Sequence, residues 1–350
     1  MEEGFGNQSN LTLRPVFPPR AIPSSPLIGL EVFLGSVGLV GNALVCITIW
    51  HSKTLHTLTN YLILNLAIAD FLISLCAILN PWLIWEKFSS TVLPMCYTDA
   101  NIDSYLDVQV YSLFHRIFTD SSPLCLLLVT LERFVGIVQP LKHPTFFSTL
   151  KTVILLLLTW AVPFLLEAPA GLWFIVKYIQ NNCMASNARD EPWIITFPVV
   201  SSVIAVIVPA LIMVYMYIVI LRNLKRSARN LEEQGIHGPP QELHRAHQKV
   251  VNTLVLVTIV FIVLIFPCRV IYIYTVVSLV PTAPQPVVLQ QIVLILGVLN
   301  SGINPVVYGF KYDKFRRAFI DMMCCCCKRS RDNAVHTEMN ATRGTQSTEP

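Results

Sequence analysis

Apolar residues fall along this chain in seven long runs, near 27–50, 60–84, 108–138, 150–176, 193–221, 250–280 and 287–309, separated by short polar stretches. Each run is long enough to cross a hydrocarbon core of about 30 Å at about 1.5 Å per helical residue. The pattern predicts an all-α membrane protein, a bundle of seven transmembrane helices. Polar and charged residues interrupt the runs at few places, and those places carry the information about function.

The third run ends in Leu131-Glu132-Arg133-Phe134, followed by Gln139-Pro140-Leu141. An acid beside an arginine at the end of an apolar helix must reach the water boundary or a protein interior. Asp70 lies deep inside the second run and must be neutral, paired or coordinating an ion. Gly41-Asn42 in the first run reads either as a close-packing glycine with a bonded buried amide or as a tolerated polar residue. His115, Arg116 and Asp120 occupy the third run, Glu167 the fourth and Arg269 the sixth. Arg116 and Asp120 stand at i, i+4 and are expected to pair along one helix, with Glu167 close by.

Composition agrees with the runs: 54% of the 350 residues are hydrophobic and 13% charged, which excludes an ordinary soluble domain. The basic residues Lys53, Arg133, Lys142 and Lys151, the 222–249 loop and the tail from Lys311 gather on one side of the runs. The other side holds Arg14, Arg20, Lys87, Lys177 and Arg189. By the positive-inside rule the amino terminus is outside and the Arg133 end cytoplasmic. The net charge of +4 comes from the side facing anionic lipid and implies no nucleic-acid partner. Residues 1–26 are proline-rich and read as an extracellular disordered tail, with sequons at Asn7 and Asn10 for glycosylation. No cleavable signal peptide is expected ahead of the full-length first run. Of the ten cysteines, Cys96 and Cys183 are those on the outer side, so a disulfide between them is the simplest reading.

The 222–249 loop starts with basic residues that continue the fifth helix into water, and a glycine and proline run then breaks it. Residues 310–323 alternate basic and apolar positions at helical spacing and predict an amphipathic helix on the membrane lipids. Cys324, Cys325, Cys326 and Cys327 follow it in the cytoplasmic tail, 324–350, where palmitoylation competes with plain reduced thiols. Four consecutive cysteines are poorly placed to close a zinc tetrahedron.

Gly41-Asn42, Leu66-Ala67-Ile68-Ala69-Asp70, Glu132-Arg133-Phe134, Trp160, Pro209 with Tyr217, Phe261 with Pro267, and Asn304-Pro305-Val306-Val307-Tyr308 follow one another on successive runs. In order and placement they resemble the rhodopsin-like (class A) G-protein-coupled receptors, over about residues 27–325. That resemblance implies a plasma-membrane receptor, not an enzyme, that couples an extracellular ligand to heterotrimeric G proteins. Tail serines and threonines would serve receptor kinases and arrestin-type partners. It implies that Arg133 contacts the G protein and that Glu132 holds it when closed. Tyr217 and Tyr308 would swing inward on activation, while Pro209, Pro267 and Pro305 create bends. Asp70, Ser122, Asn300, Ser301 and Asn304 match the family's allosteric sodium pocket, the alternative being a water-filled polar network; no other cofactor is implied.

Three positions depart from the family's pattern. Val108 stands where a cysteine is usual, so residues 97–107, with Asp99, Asp103 and Asp107, are expected to form an added acidic loop over the pocket mouth; a longer protruding helix is the rival. Ile265 replaces a tryptophan, which shifts the expected repacking to Phe261 and Phe266. The inner end of the sixth helix carries His247 and Gln248 in place of an acid that would pair with Arg133.

By the same resemblance His115, Arg116, Thr119, Arg269 and Tyr272 face the ligand cavity. Guanidinium groups there suit carboxylates and other acceptor-rich groups. His115 stands where amine receptors carry an aspartate, and Val298 where opsins carry a lysine, so a monoamine and retinal are both disfavoured. A peptide is the leading expectation, then a lipid or small acid. A secondary transporter is the rival from another class, although neither internal repeats nor interrupted helices are evident. Enzymatic motifs such as His-Glu-x-x-His and Gly-x-Ser-x-Gly are absent from the sequence.

Overall fold

The computed structural model describes residues 25–80, 102–181, 192–234, 238–277 and 287–323. Among these, seven helices are long and apolar enough to cross a membrane. They are α1 (Ser25–His51), α2 (Leu58–Asn80), α3 (Ile102–Val138), α4 (Thr149–Asn181), α5, α6 (Pro239–Val277) and α7 (Val287–Lys311). In α5 the segments Pro192–Ser202 and Val208–Glu233 are joined by a π-helical turn, Val203–Ile207. A shorter helix, α8, covers 313–323. The described residues contain no strand.

The burial pattern is that of a bundle in lipid. Phe33, Val40, Ile47 and Trp50 on α1 and Leu157 and Leu165 on α4 are exposed, whereas Asn42, Asp70, Asp120, Ser201 and Asn304 are buried. Chains in a bilayer gain nothing by hiding leucine from lipid, so close packing and polar contacts hold the helices together. α3 runs through the middle against α2, α4 and α5; α1 lies against α2 and α7, and α6 against α5 and α7. An apolar layer that includes Leu66, Val129, Met213, Leu254, Phe261 and Tyr308 fills the bundle between its polar clusters.

Proline marks where the rods bend. Pro209 would drive its ring against the carbonyl of Ala205, and the π turn immediately before it widens the helix at that point. Pro267 and Pro305 lie inside α6 and α7, and Pro123 inside α3. Glycine marks where two backbones approach. A side chain at Gly38 on α1 would run into Ser74 Oγ on α2 and come within 3.4 Å of Gly302 Cα on α7. Gly38→Val is therefore expected to destabilise the purified protein by about 1–3 kcal/mol through overpacking. The check is an apparent Tm in nanodiscs, with Gly29→Val, where a Cβ meets open space, as the control that stays near wild type.

Several boundaries differ from those predicted. α3 begins at Ile102, so residues 102–107 of the expected acidic loop continue the helix, and the protruding-helix alternative holds there; residues 97–101 lie outside the described residues. α5 continues to Glu233, as its basic extension predicted, with Arg229 and Glu233 paired at i, i+4 across 2.8 Å. α6 starts eleven residues before the apolar run does. α5 has ended at Glu233, ahead of the Gly-Pro-Pro run expected to break it, and with Gly238 at φ +93° and Pro239 opening the helix that run is the start signal of α6. On α8, Phe315, Ala318 and Met322 are buried while Arg316 and Arg317 are exposed, the amphipathic face that was expected. Cys96, Cys183, Asn7, Asn10, Cys324, Cys325, Cys326 and Cys327 lie outside the described residues.

Candidate functional site

The buried polar groups form three clusters strung along the bundle. At the end opposite Arg133, four helices meet in a chain of charges. Arg116 Nε on α3 donates to Glu167 Oε2 on α4 at 2.8 Å. Arg269 on α6 is ion-paired with Asp120 on α3. Ser201 on α5 joins the two pairs, with its hydroxyl against both Asp120 Oδ2, at 3.0 Å, and Glu167. The local Arg116–Asp120 pair expected from their spacing is not made. A charge buried without a partner is strongly unfavourable, and the local pair would strand both Glu167 and Arg269, whereas the exchange across helices neutralises all four.

The other proposed ligand residues border this chain. His115 is half-buried and stacks on Tyr111, with ring centroids 6.0 Å apart. Tyr272 is half-buried on α6. Thr119 spends its hydroxyl proton on the carbonyl of His115 at 2.7 Å, so it offers a ligand only an acceptor.

The middle cluster surrounds Asp70, which is fully buried. Ser122 Oγ donates to Asp70 Oδ1 at 2.9 Å and Asn304 Nδ2 to Oδ2 at 2.6 Å. Ser301 is buried beside Asn300 on α7 with its hydroxyl near Asp70, while its carbonyl accepts from Asn42 Nδ2 at 3.1 Å. The α1 amide is therefore part of the network. Trp160 Nε1 donates to Asn65 Oδ1 at 2.9 Å and fastens α4 to α2.

At the third cluster Glu132 and Arg133 form a two-toothed pair, Nε to Oε2 at 2.6 Å and a terminal nitrogen to Oε1 at 2.8 Å. Thr59 on α2 donates to Glu132 Oε2 at 2.9 Å and accepts from Arg133. His143, on the helical turn His143–Phe146 after α3, places Nε2 3.1 Å from Glu132 Oε1. Thr59 and His143 had no sequence signal, and neither did Ser201. Glu132, Arg133, His143 and His247 line a cleft of about 270 Å³. Among the described residues the hydrogen bonds of Arg133 go to Glu132 and Thr59 and none reaches α6, in keeping with the missing acid there. Nearby, Tyr312 donates to Asn60 Oδ1 at 3.2 Å, which ties the start of α8 to α2; burial raises that phenol above its usual range.

Of the expected moving parts, Tyr217 shares a hydrogen bond with Thr130 at 2.9 Å, and Tyr308 is buried with its hydroxyl unpartnered. Phe261 and Ile265 are buried in the core. Phe266 is 55% exposed and faces outward, away from the interior where the repacking expected of it would occur. One residue of difference along a helix turns a side chain by about a quarter turn, which is enough to carry Phe266 off the inner face.

A family model described as 7 transmembrane receptor (rhodopsin family) matches residues 41–308. The alpha-1A adrenergic receptor of Mus musculus is 25% identical over 96% of this chain and 75% of its own length. The octopamine receptor beta-1R of Drosophila melanogaster is 25% identical over 82% of this chain and 59% of its own. The somatostatin receptor type 4 of Rattus norvegicus is 26% identical over 83% and 71%. These relatives are signalling receptors rather than enzymes. With its seven apolar helices, its polar interior and a match across most of its length, the chain belongs to the rhodopsin family of seven-transmembrane receptors and is a multi-pass plasma-membrane protein.

Proposed function

We propose that this receptor carries the binding of an extracellular ligand, a peptide in the first instance, to heterotrimeric G proteins at the Arg133 end. The observation that carries the reading is the disposition of the clusters: a chain of buried charges at one end, and at the other a cleft over an arginine held by Glu132 and Thr59. The basic residues Lys53, Lys142, Lys151, Arg222 and Lys249 lie toward the Arg133 end, which supports a cytoplasmic cleft and an outer amino terminus. Receptor kinases and arrestin-type partners would act on the tail beyond α8.

The pocket is a poor fit for an amine. Its acids Asp120 and Glu167 are each already held by a guanidinium, and a histidine occupies position 115. An acceptor-rich ligand, with backbone carbonyls and a carboxylate, matches the arginines better. A lipid or small acid offers the same carboxylate and is the second reading. A screen of peptide extracts against several G-protein reporters, repeated on His115→Ala and Arg116→Ala, tests the proposal: potency lost in both variants at matched surface expression supports it, and potency unchanged in both places the ligand elsewhere.

Sodium at Asp70, Ser122, Asn300, Ser301 and Asn304 belongs to the same proposal. The cluster fits a hard monovalent cation: it offers a carboxylate with hydroxyl and amide oxygens, and Ser301 is buried at its edge. Bound there, the ion would supply positive charge against Asp70, and the chain's own part is to hold Asp70 through Ser122 and Asn304. Asp70→Asn is expected to abolish the sodium dependence of agonist affinity. The same dependence in wild type and variant would favour a water-filled network.

A further inference from the structure

The chain Arg116–Glu167–Ser201–Asp120–Arg269 has a polarity that charge counting alone does not reveal. Its acids are sealed, with the Asp120 side chain 0% and Glu167 5% exposed, and its bases lie further out, Arg269 still nearly buried at 10% and Arg116 partly open at 26%. A guanidinium carries five N–H donors. Arg116 gives Nε to Glu167 and Arg269 a terminal nitrogen to Asp120, so both forks retain donors for another acceptor. His115 and Tyr272 lie within electrostatic reach of both guanidiniums. The more exposed side of this chain of charges is therefore cationic, although the chain of charges as a whole is neutral.

The same chain is also a mechanical tie. Among the described residues, the ion pair that joins α3 to α6 is Asp120–Arg269, and the arginine at the far end of α3 is held by α2 and by its own helix. Moving α6 away from α3 at the Asp120 level requires separating that pair. An ion pair buried to this degree does not part into water, so it separates when a second anion takes the guanidinium.

We propose that an anionic group of the ligand, a carboxylate, binds between Arg116 and Arg269 and takes Arg269 from Asp120, which makes this pair the latch that agonist binding opens. The proposal rests on the ligand pocket proposed above and specifies what that pocket reads. The carboxylate becomes the partner of both forks, and Asp120 keeps the Ser201 hydroxyl. Binding then exchanges an interhelical ion pair for one between receptor and ligand, so α6 is no longer fixed to α3 through charge.

The latch can be tested without knowing the ligand or the G protein. Purified full-length receptor in nanodiscs, carrying nitroxides on unnatural amino acids at Gln139 and Arg245, both exposed, reports the separation of the Arg133 ends of α3 and α6 by double electron–electron resonance. Asp120→Asn and, separately, Arg269→Gln are expected to lengthen the mean separation by about 2 Å or more, the scale of helix shifts in switching transitions. The exchange Asp120→Arg with Arg269→Asp restores the wild-type distance. Unchanged distances in both single variants, or an exchange variant as open as the singles, would overturn the latch. A single variant that fails to elute as a monodisperse receptor is replaced by the other.

The carboxylate is tested on the same labelled wild type with three probes: a pool of synthetic octapeptides with free carboxyl termini, the same pool amidated, and octanoate. Lengthening by the free-acid pool alone supports the proposal together with the peptide reading. Lengthening by octanoate alone supports the carboxylate site while removing the peptide reading. Equal lengthening by the amidated pool, or none by any probe, would overturn the carboxylate assignment. Failure of the G-protein reading would leave these distances untouched, so the two are separable.

Discussion

Arg133→Ala is expected to lower receptor-stimulated nucleotide exchange on the coupled G protein by about tenfold or more, the rate equivalent of ~1.4 kcal/mol, with surface expression preserved. In the proposed coupling Arg133 is the group through which the cleft would act, and its guanidinium is held in place by both oxygens of Glu132 and by Thr59. Glu132→Gln should have the opposite effect on basal exchange. It removes the charge from hydrogen bonds that are roughly twice as strong as neutral ones, and it leaves Thr59 and His143 without their anionic partner. Exchange measured with membranes from matched cells checks both variants. An alanine variant as active as wild type would show that the role implied by family resemblance does not apply to Arg133 here.

The second large effect is on stability. Glu167→Ala should destabilise the folded receptor by about 3–5 kcal/mol, the scale observed when one member of a buried ion pair is removed. The loss leaves Arg116 unpaired and removes one of the two carboxylates on Ser201. Glu167→Ala combined with Arg116→Met should recover part of the loss, because the stranded charge goes with it. Apparent Tm of the purified variants decides: a single variant as stable as wild type, or a double variant no better than the single, would mean that the pair contributes little to the fold.

Much of this molecule is legible in its sequence, for a physical reason. In lipid an ionisable residue inside an apolar run is so unfavourable that its presence announces an interior position. Asp70, Asp120, Glu167 and Arg269 all prove to be buried. Periodicity likewise gave the seven helices and the inner face of α8. Partners were harder to foresee. Arg116 and Asp120 satisfy the i, i+4 rule, and nothing local shows that each does better with a residue 51 or 149 positions away. Ser201, Thr59 and His143 are common residue types whose roles arise only when helices are brought together. Helix ends were missed where one signal serves two purposes. Gly238-Pro239-Pro240, which reads as a breaker of α5, begins α6, while α5 stops at Glu233 ahead of it, and Asp103 and Asp107 suggested a loop where α3 continues.

The inner face of α6 shows how a departure from a family's pattern should be weighed. Ile265 lies where a tryptophan is usual and is buried beside Phe261, so the position keeps its place in the core while losing bulk. Where many members carry an acid at the end of α6 this chain has none, and among the described residues the ion pair between α3 and α6 lies in the other half of the bundle, at Asp120 and Arg269. A receptor built this way would place the strongest restraint on α6 inside its own ligand pocket.

The most direct measurement is guanine-nucleotide exchange on purified heterotrimers by the purified receptor in nanodiscs, with the free-acid octapeptide pool and with octanoate. Ligand-dependent acceleration that disappears in Arg133→Ala is the expected result. No acceleration of any heterotrimer, together with uptake of a labelled solute by proteoliposomes holding the same receptor, would contradict it.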